Sequence, residues 1–165
     1  MTKRLLLPLL TGLSLAALCA CKRERDPCLQ PRVVSLRAGA YHHADTGTAV
    51  SDTLLGKPYL VALDATAASN TFIYTGKTSK LTFNLSESAD STRWIVRPDS
   101  ANAALQDTLT FRYGRQLNFL SNSCGYAYFY FLNEVAATHH ALDSVIISTA
   151  SVTSTANVEH IKIYY

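Results

Sequence analysis

From residue 32 onward, apolar side chains recur at every second position and not at every third or fourth. Leu81, Phe83 and Leu85 alternate with Lys80, Thr82 and Asn84; Leu109, Phe111 and Tyr113 with Thr108, Thr110 and Arg112; Ile161, Ile163 and Tyr165 with His160, Lys162 and Tyr164. Successive side chains of a strand point to opposite faces, so this period belongs to strands with one face buried. Further strands are expected at 32–41, 57–64, 91–97, 125–132 and 143–148, all rich in β-branched or aromatic residues. Turn-forming clusters at 42–47, 86–90 and 98–102 separate them. About eight or nine short strands predict an all-β fold over residues 32–165, a single antiparallel β-sandwich of the immunoglobulin-like or Greek-key kind. Only the segment 133–142 (NEVAATHHAL) offers a helical turn.

The N-terminal segment follows other rules. Lys3 and Arg4 precede an uncharged apolar run of sixteen residues, 5–20, which ends in small residues as an export signal does. A helix needs roughly 20 residues to cross a bilayer, and Pro8 and Gly12 weaken this run further as a permanent span. Leu18-Cys19-Ala20-Cys21 resembles the bacterial lipobox. The resemblance implies that residues 1–20 are removed as a lipoprotein signal peptide and that the Cys21 thiol takes a diacylglyceryl group, with a fatty acid such as palmitate on the freed amine. Only a cysteine thiolate supplies the nucleophile for that thioether. An ordinary signal peptide cut elsewhere is the alternative. Residues 21–31 then read as the lipidated cysteine and a charged tether (KRERDP), whose six residues reach at most about 20 to 25 Å. The expected partner on this side is the membrane, through the lipid on Cys21. Losing Lys3 and Arg4 leaves thirteen basic residues against twelve acidic. A nearly neutral chain without clustered Lys and Arg has no footprint for a nucleic acid, and none is expected.

With Cys21 lipidated, Cys28 and Cys124 remain, an even number in an exported protein. Disulfides persist in such compartments, so a bridge between them is the default; the alternative is two unpaired thiols, one in the tether and one buried. The bridge would close a loop of about 97 residues, for which loop-closure entropy gives on the order of 4.7 kcal/mol.

Several segments together resemble a family of small Bacteroidota lipoproteins known only as a domain of unknown function. They are the lipobox cysteine, Asp26-Pro27-Cys28, residues 117–125 (LNFLSNSCG) before an aromatic strand, residues 143–147 (DSVII) and the closing residues 160–164 (HIKIY). The resemblance implies an outer-membrane address and a paired Cys28 and Cys124, and brings no activity, substrate or catalytic residue. Surface-exposed lipoproteins of that phylum tend to carry acidic residues just behind the lipid cysteine. Lys22, Arg23 and Arg25 outnumber Glu24 and Asp26 here, which favours the periplasmic leaflet over the cell surface.

Catalytic signals are sparse. His42-His43, His139-His140 and His160, with Asp45 and Asp143 nearby, invite a metal reading, but adjacent strand histidines point apart and no HExxH spacing occurs. Solvated loop histidines are the simpler account, and no metal or other cofactor is expected. There is no GxSxG, SxxK or glycine-rich phosphate loop, and Glu134 and Asp143 are the best of few carboxylates for glycoside chemistry. The chain is therefore read as no enzyme but a binding or assembly module with an envelope-protein partner. The competing reading is a glycan-binding accessory protein or weak glycan hydrolase, built on Trp94 with Tyr41 or Tyr74 exposed beside it. The run 126–131 (YAYFYF) is read as a central core strand covered on both faces and not as an aromatic platform.

Labelled fatty acid is expected to enter the wild-type protein, and Cys21→Ser to abolish the labelling. Label persisting in that variant would show the lipobox to be misread.

Overall fold

The computed structural model describes residues 27–43, 50–63, 71–155 and 157–165; Cys21, Asp45 and the charged part of the tether lie outside them. The described residues are all strand and loop: β1 (Ser35–His43), β2 (Val50–Asp52), β3 (Tyr59–Ala62), β4 (Thr71–Ile73), β5 (Lys80–Asn84), β6 (Ser91–Arg97), β7 (Asp107–Ser121), β8 (Gly125–Ala137), β9 (Ser144–Ile147), β10 (Ser151–Val152) and β11 (Ile161–Tyr164). Among the described residues there are thus eleven strands and not eight or nine. The additions, β2, β4 and β10, are two or three residues long, too short for alternation to show. The segment 133–142 forms no helical turn, because β8 continues through it to Ala137. β1 likewise runs through the expected turn at His42 and His43.

Two sheets face each other in a sandwich-like arrangement. One has β1 at its centre, with β11 and then β9 on one edge. On its other edge β5 pairs along Ser35 to Gly39 and β2 along Tyr41 to His43. The other sheet runs β10-β8-β7-β6-β3-β4. Among the described residues every ladder but one is antiparallel, as expected; the exception is β1 with β11, which run parallel, Ala38 opposite Ile161 and Tyr41 opposite Tyr164. The period of two is blind to strand direction, so no residue pattern could distinguish the cases.

Alternation puts Leu36, Ala38, Leu81, Phe83, Ile161 and Ile163 of one sheet against Leu60, Trp94, Val96, Leu109 and Phe111 of the other. Phe83 spans the gap, with its ring 5.5 Å from that of Trp94 and 5.3 Å from that of Phe111. Each such aromatic pair contributes about 0.5 to 1.5 kcal/mol beyond the area it buries. Tyr113 secures the turn after β5: its buried hydroxyl lies 2.6 Å from the Thr92 hydroxyl and accepts from the Ser86 N–H at 2.7 Å.

β7 and β8 outrun the opposing sheet. Leu109, Phe111 and Tyr113 are buried, yet Leu117 and Phe119, farther along the same face, are 53% and 57% exposed. Across the ladder they meet Tyr128 and Tyr126, and Tyr126 is 60% exposed. The run 126–131 is therefore only partly core. Ala127 and Tyr130 are buried, Tyr128 and Phe129 half-buried, and Tyr126 and Phe131 exposed, so cover along the arm is uneven. The arm turns at residues 122–124, closed by Gly125 at φ 74°, a left-handed conformation that costs a residue without Cβ little.

Cys124 sits in that turn and is bonded to Cys28, with α-carbons 4.9 Å apart. Reduction of the protein is expected to remove roughly 2 to 5 kcal/mol and to lower the unfolding temperature by several degrees. Calorimetry with and without reductant, together with electrophoretic mobility, measures this. A transition unmoved by reduction would show that the bridge does not constrain the unfolded chain.

Candidate functional site

Alternation in the β1 sheet leaves Arg37, Gly39 and Tyr41 of β1, Lys80 and Thr82 of β5, and Lys162 of β11 on the outer face. Residues 153–155 and 157–160, between β10 and β11, arch over that face, and between them lies a cleft of about 470 Å³. Pro31, Val33 and Val34 form one wall, Thr153, Ser154 and Thr155 another, and Arg37, Lys80 and Glu159 supply the charge.

Glu159 folds back over β1 where Gly39 stands. A Cβ there would fall inside the Glu159 carboxylate and lie 2.7 Å from Tyr41 Cε2, so a side chain at position 39 would expel both. The carboxylate accepts from the Tyr41 hydroxyl at 2.8 Å and from Lys80 Nζ at 2.9 Å. Lys80 and Lys162 also lie 5.8 and 5.2 Å from the Tyr41 ring centroid, within cation–π range. Burial opposes ionisation of Glu159, but hydrogen bonds from Lys80 and Tyr41 outweigh it and hold the carboxyl below its ordinary range. Its hydrogen bond to Glu159 raises Lys80, while burial and then Glu159 raise Tyr41. All three are pushed away from neutrality, whereas a general acid or base works best with its pKa near the operating pH.

Behind the cleft, Arg37 and His160 bind each other's backbone. The Arg37 N–H donates to His160 Nδ1 at 3.0 Å, and the His160 N–H to the Arg37 carbonyl at 2.9 Å. The imidazole is buried, and burial followed by the Arg37 charge lowers its pKa, so it stays neutral. Arg37 Nη1 reaches Asn157 Oδ1 at 3.3 Å, and Asn157 holds the loop with φ 65°.

The other singled-out residues lie elsewhere. His160 is a core residue and not a solvated one. His42 is in a strand, with Nδ1 2.9 Å from the Tyr165 carbonyl oxygen. Among the described residues, no three His, Cys, Asp or Glu side chains gather as a metal site requires. Glu134 is exposed and 3.6 Å from Arg112, Asp143 is exposed before β9, and neither lines the cleft. Trp94 is fully buried, stacked on Phe72 with its Nε1 donating to the Asn84 carbonyl at 3.2 Å. That burial removes the residue on which the glycan reading was built. Phe119 and Tyr126 are both exposed, but their rings are inclined at 61° and form no single flat platform.

A family of unknown function matches residues 60–165, from β3 to β11 and more than half of the chain. The chain belongs to DUF6452. No curated protein and no solved structure matches it significantly. The DUF6452 segment carries Lys80 and Glu159 of the cleft, while Arg37 and the 31–35 wall precede it.

The DUF6452 segment also holds Asp107, which sequence reasoning passed over. Its side chain is fully buried at the start of β7. The N–H groups of His140, Ala141 and Leu142 donate to it at 2.8, 2.7 and 3.0 Å, and the Thr138 hydroxyl at 2.7 Å. Burial alone would raise its pKa, but these donors outweigh burial and bring it down to about 2. One carboxylate thus organises the His139-His140 loop, and the only sequence signal is an acid just before an alternating run.

Because the folded-state pKa lies below the unfolded one, ionised Asp107 stabilises the fold fully above about pH 4, and this is lost as pH falls toward about 2. Asp107→Asn is expected to cost about 2 to 3 kcal/mol at neutral pH, with the deficit against wild type shrinking through that acid window. Melting curves across pH measure it, and a deficit independent of pH would refute the assignment.

Proposed function

We propose that this protein is a lipid-anchored component of the cell envelope, held through Cys21 in the outer membrane on its periplasmic side, and that its domain is a non-catalytic binding or assembly module. The Cys28–Cys124 bridge supports export to an oxidising compartment, since such bonds rarely persist elsewhere. The observation that carries the binding reading is the cleft's fixed charge. Glu159 is held ionised by Lys80 and Tyr41, no member of the cluster is tuned for proton transfer, and Arg37, Lys80 and five hydroxyl side chains border the opening. Such a cleft suits a polar segment of an envelope protein, with directional hydrogen bonds for register and modest apolar walls for affinity.

Mild-detergent purification of the tagged protein from its native envelope is expected to bring a partner with it. Lys80→Ala should lower the partner's recovery several-fold, while Ile146→Ala on exposed β9 leaves it unchanged. The Lys80 pair is exposed on the lysine side, so its loss costs the fold little, at most about 1 kcal/mol. Recovery of the protein alone, under conditions that preserve other envelope complexes, would count against the reading.

A further inference from the structure

We infer that the overhang of the β7–β8 arm is a membrane-contact surface, with Leu117, Phe119 and Tyr126 lying in the interfacial layer of the bilayer that carries the Cys21 lipid. The inference rests on the lipid anchor proposed above and adds an orientation to it.

Three observations meet at the tip. The first is the patch. Leu117, Phe119 and Tyr126 continue the core-facing side of a sheet beyond the sheet that would bury them, and all are more than half exposed. Phe119 and Tyr126 face each other across the ladder with ring centroids 5.3 Å apart, so the apolar surface is contiguous. A folded domain in water gains nothing from such a patch, whereas the membrane interface takes in an apolar ring with a polar edge, as in Tyr126.

The second observation is covalent. Phe119 and Tyr126 lie five and two residues from Cys124, and the Cys124 α-carbon is 4.9 Å from that of Cys28. The third is the chain length. Cys28 is seven residues after Cys21, a contour of at most about 25 Å. A linker this short gives millimolar effective concentrations, so a contact too weak to hold a free protein on a membrane is favoured once the lipid is inserted. The disulfide thus delivers this end of the molecule to the bilayer. Lys22, Arg23 and Arg25 of the tether add attraction for anionic head groups.

The test uses the mature, lipid-carrying protein in vesicles of phosphatidylethanolamine and phosphatidylglycerol containing a dibrominated phosphatidylcholine. The chain's one tryptophan, Trp94, is buried, so an indole introduced by Phe119→Trp or, separately, by Tyr126→Trp reports its own surroundings. Ile146→Trp, on β9 of the other sheet, is the control. Insertion into the head-group boundary should roughly halve the emission of either tip indole and leave the control unchanged. Vesicle-bound protein with both tip indoles unquenched overturns the contact and leaves the anchor standing. Equal quenching of tip and control overturns it too, as does shielding of the tip from aqueous iodide only when envelope protein is added, which would assign the patch to a protein partner. A protein that carries no lipid and fails to float with the vesicles overturns the anchor and the contact together.

Discussion

The fold depends on satisfying both edges of β1. On one edge its backbone pairs with β5 and β2; on the other it pairs with β11, from the opposite end of the chain. The parallel sense of that last ladder has a geometric cost, because parallel neighbours need a connection that travels the length of the sheet. Residues 153–155 and 157–160 belong to the final leg of that journey. They cross the outer face of the β1 sheet, and the cleft is the space beneath them. The Arg37 and His160 backbone pair and the Glu159 cluster over Gly39 fasten this crossing at two points. Cleft and topology therefore have one cause, and contacts so distant in sequence are of the kind that slows folding.

The DUF6452 match begins at residue 60, after β1 and β2. Among the described residues, β5 pairs with no named strand except β1, which precedes the matched segment, and without β1 β11 keeps only β9. The β1 sheet cannot close without the earlier residues. The structural unit is thus larger than the family segment, and six of the fifteen residues lining the cleft, Arg37 among them, come from outside it.

All eight expected strands are present, three announced by alternation, which a half-buried strand writes into its residues, and five by β-branched and aromatic richness. What the sequence hid has specific reasons. β2, β4 and β10 are too short to show a period. The parallel direction of β11 leaves no mark in composition. His160 and Tyr164 fall on the nominally outward side of β11 but are covered, so polarity misplaced them. Trp94 lies in an alternating strand with Thr92 and Val96 inward, and its register alone argued for burial against the chemical appeal of an exposed indole. Gly39 was the readable clue to the cleft, since a glycine inside a strand marks a close approach, but the approaching residue lies 120 positions away. Of the sites, Cys28 and Cys124 were legible from compartment and parity, while Glu159 and Asp107 owe their roles to loops that bring distant donors to them.

The disulfide also decides how the molecule bears load. Residues 29–123, containing all of β1 to β7, lie within the covalent loop that Cys28 and Cys124 close. Tension between the chain ahead of Cys28 and the C-terminus passes straight from Cys28 to Cys124 and bypasses those seven strands. Only β8 to β11 can be drawn out, so most of the sandwich is shielded from extension for as long as the sulfur bond lasts.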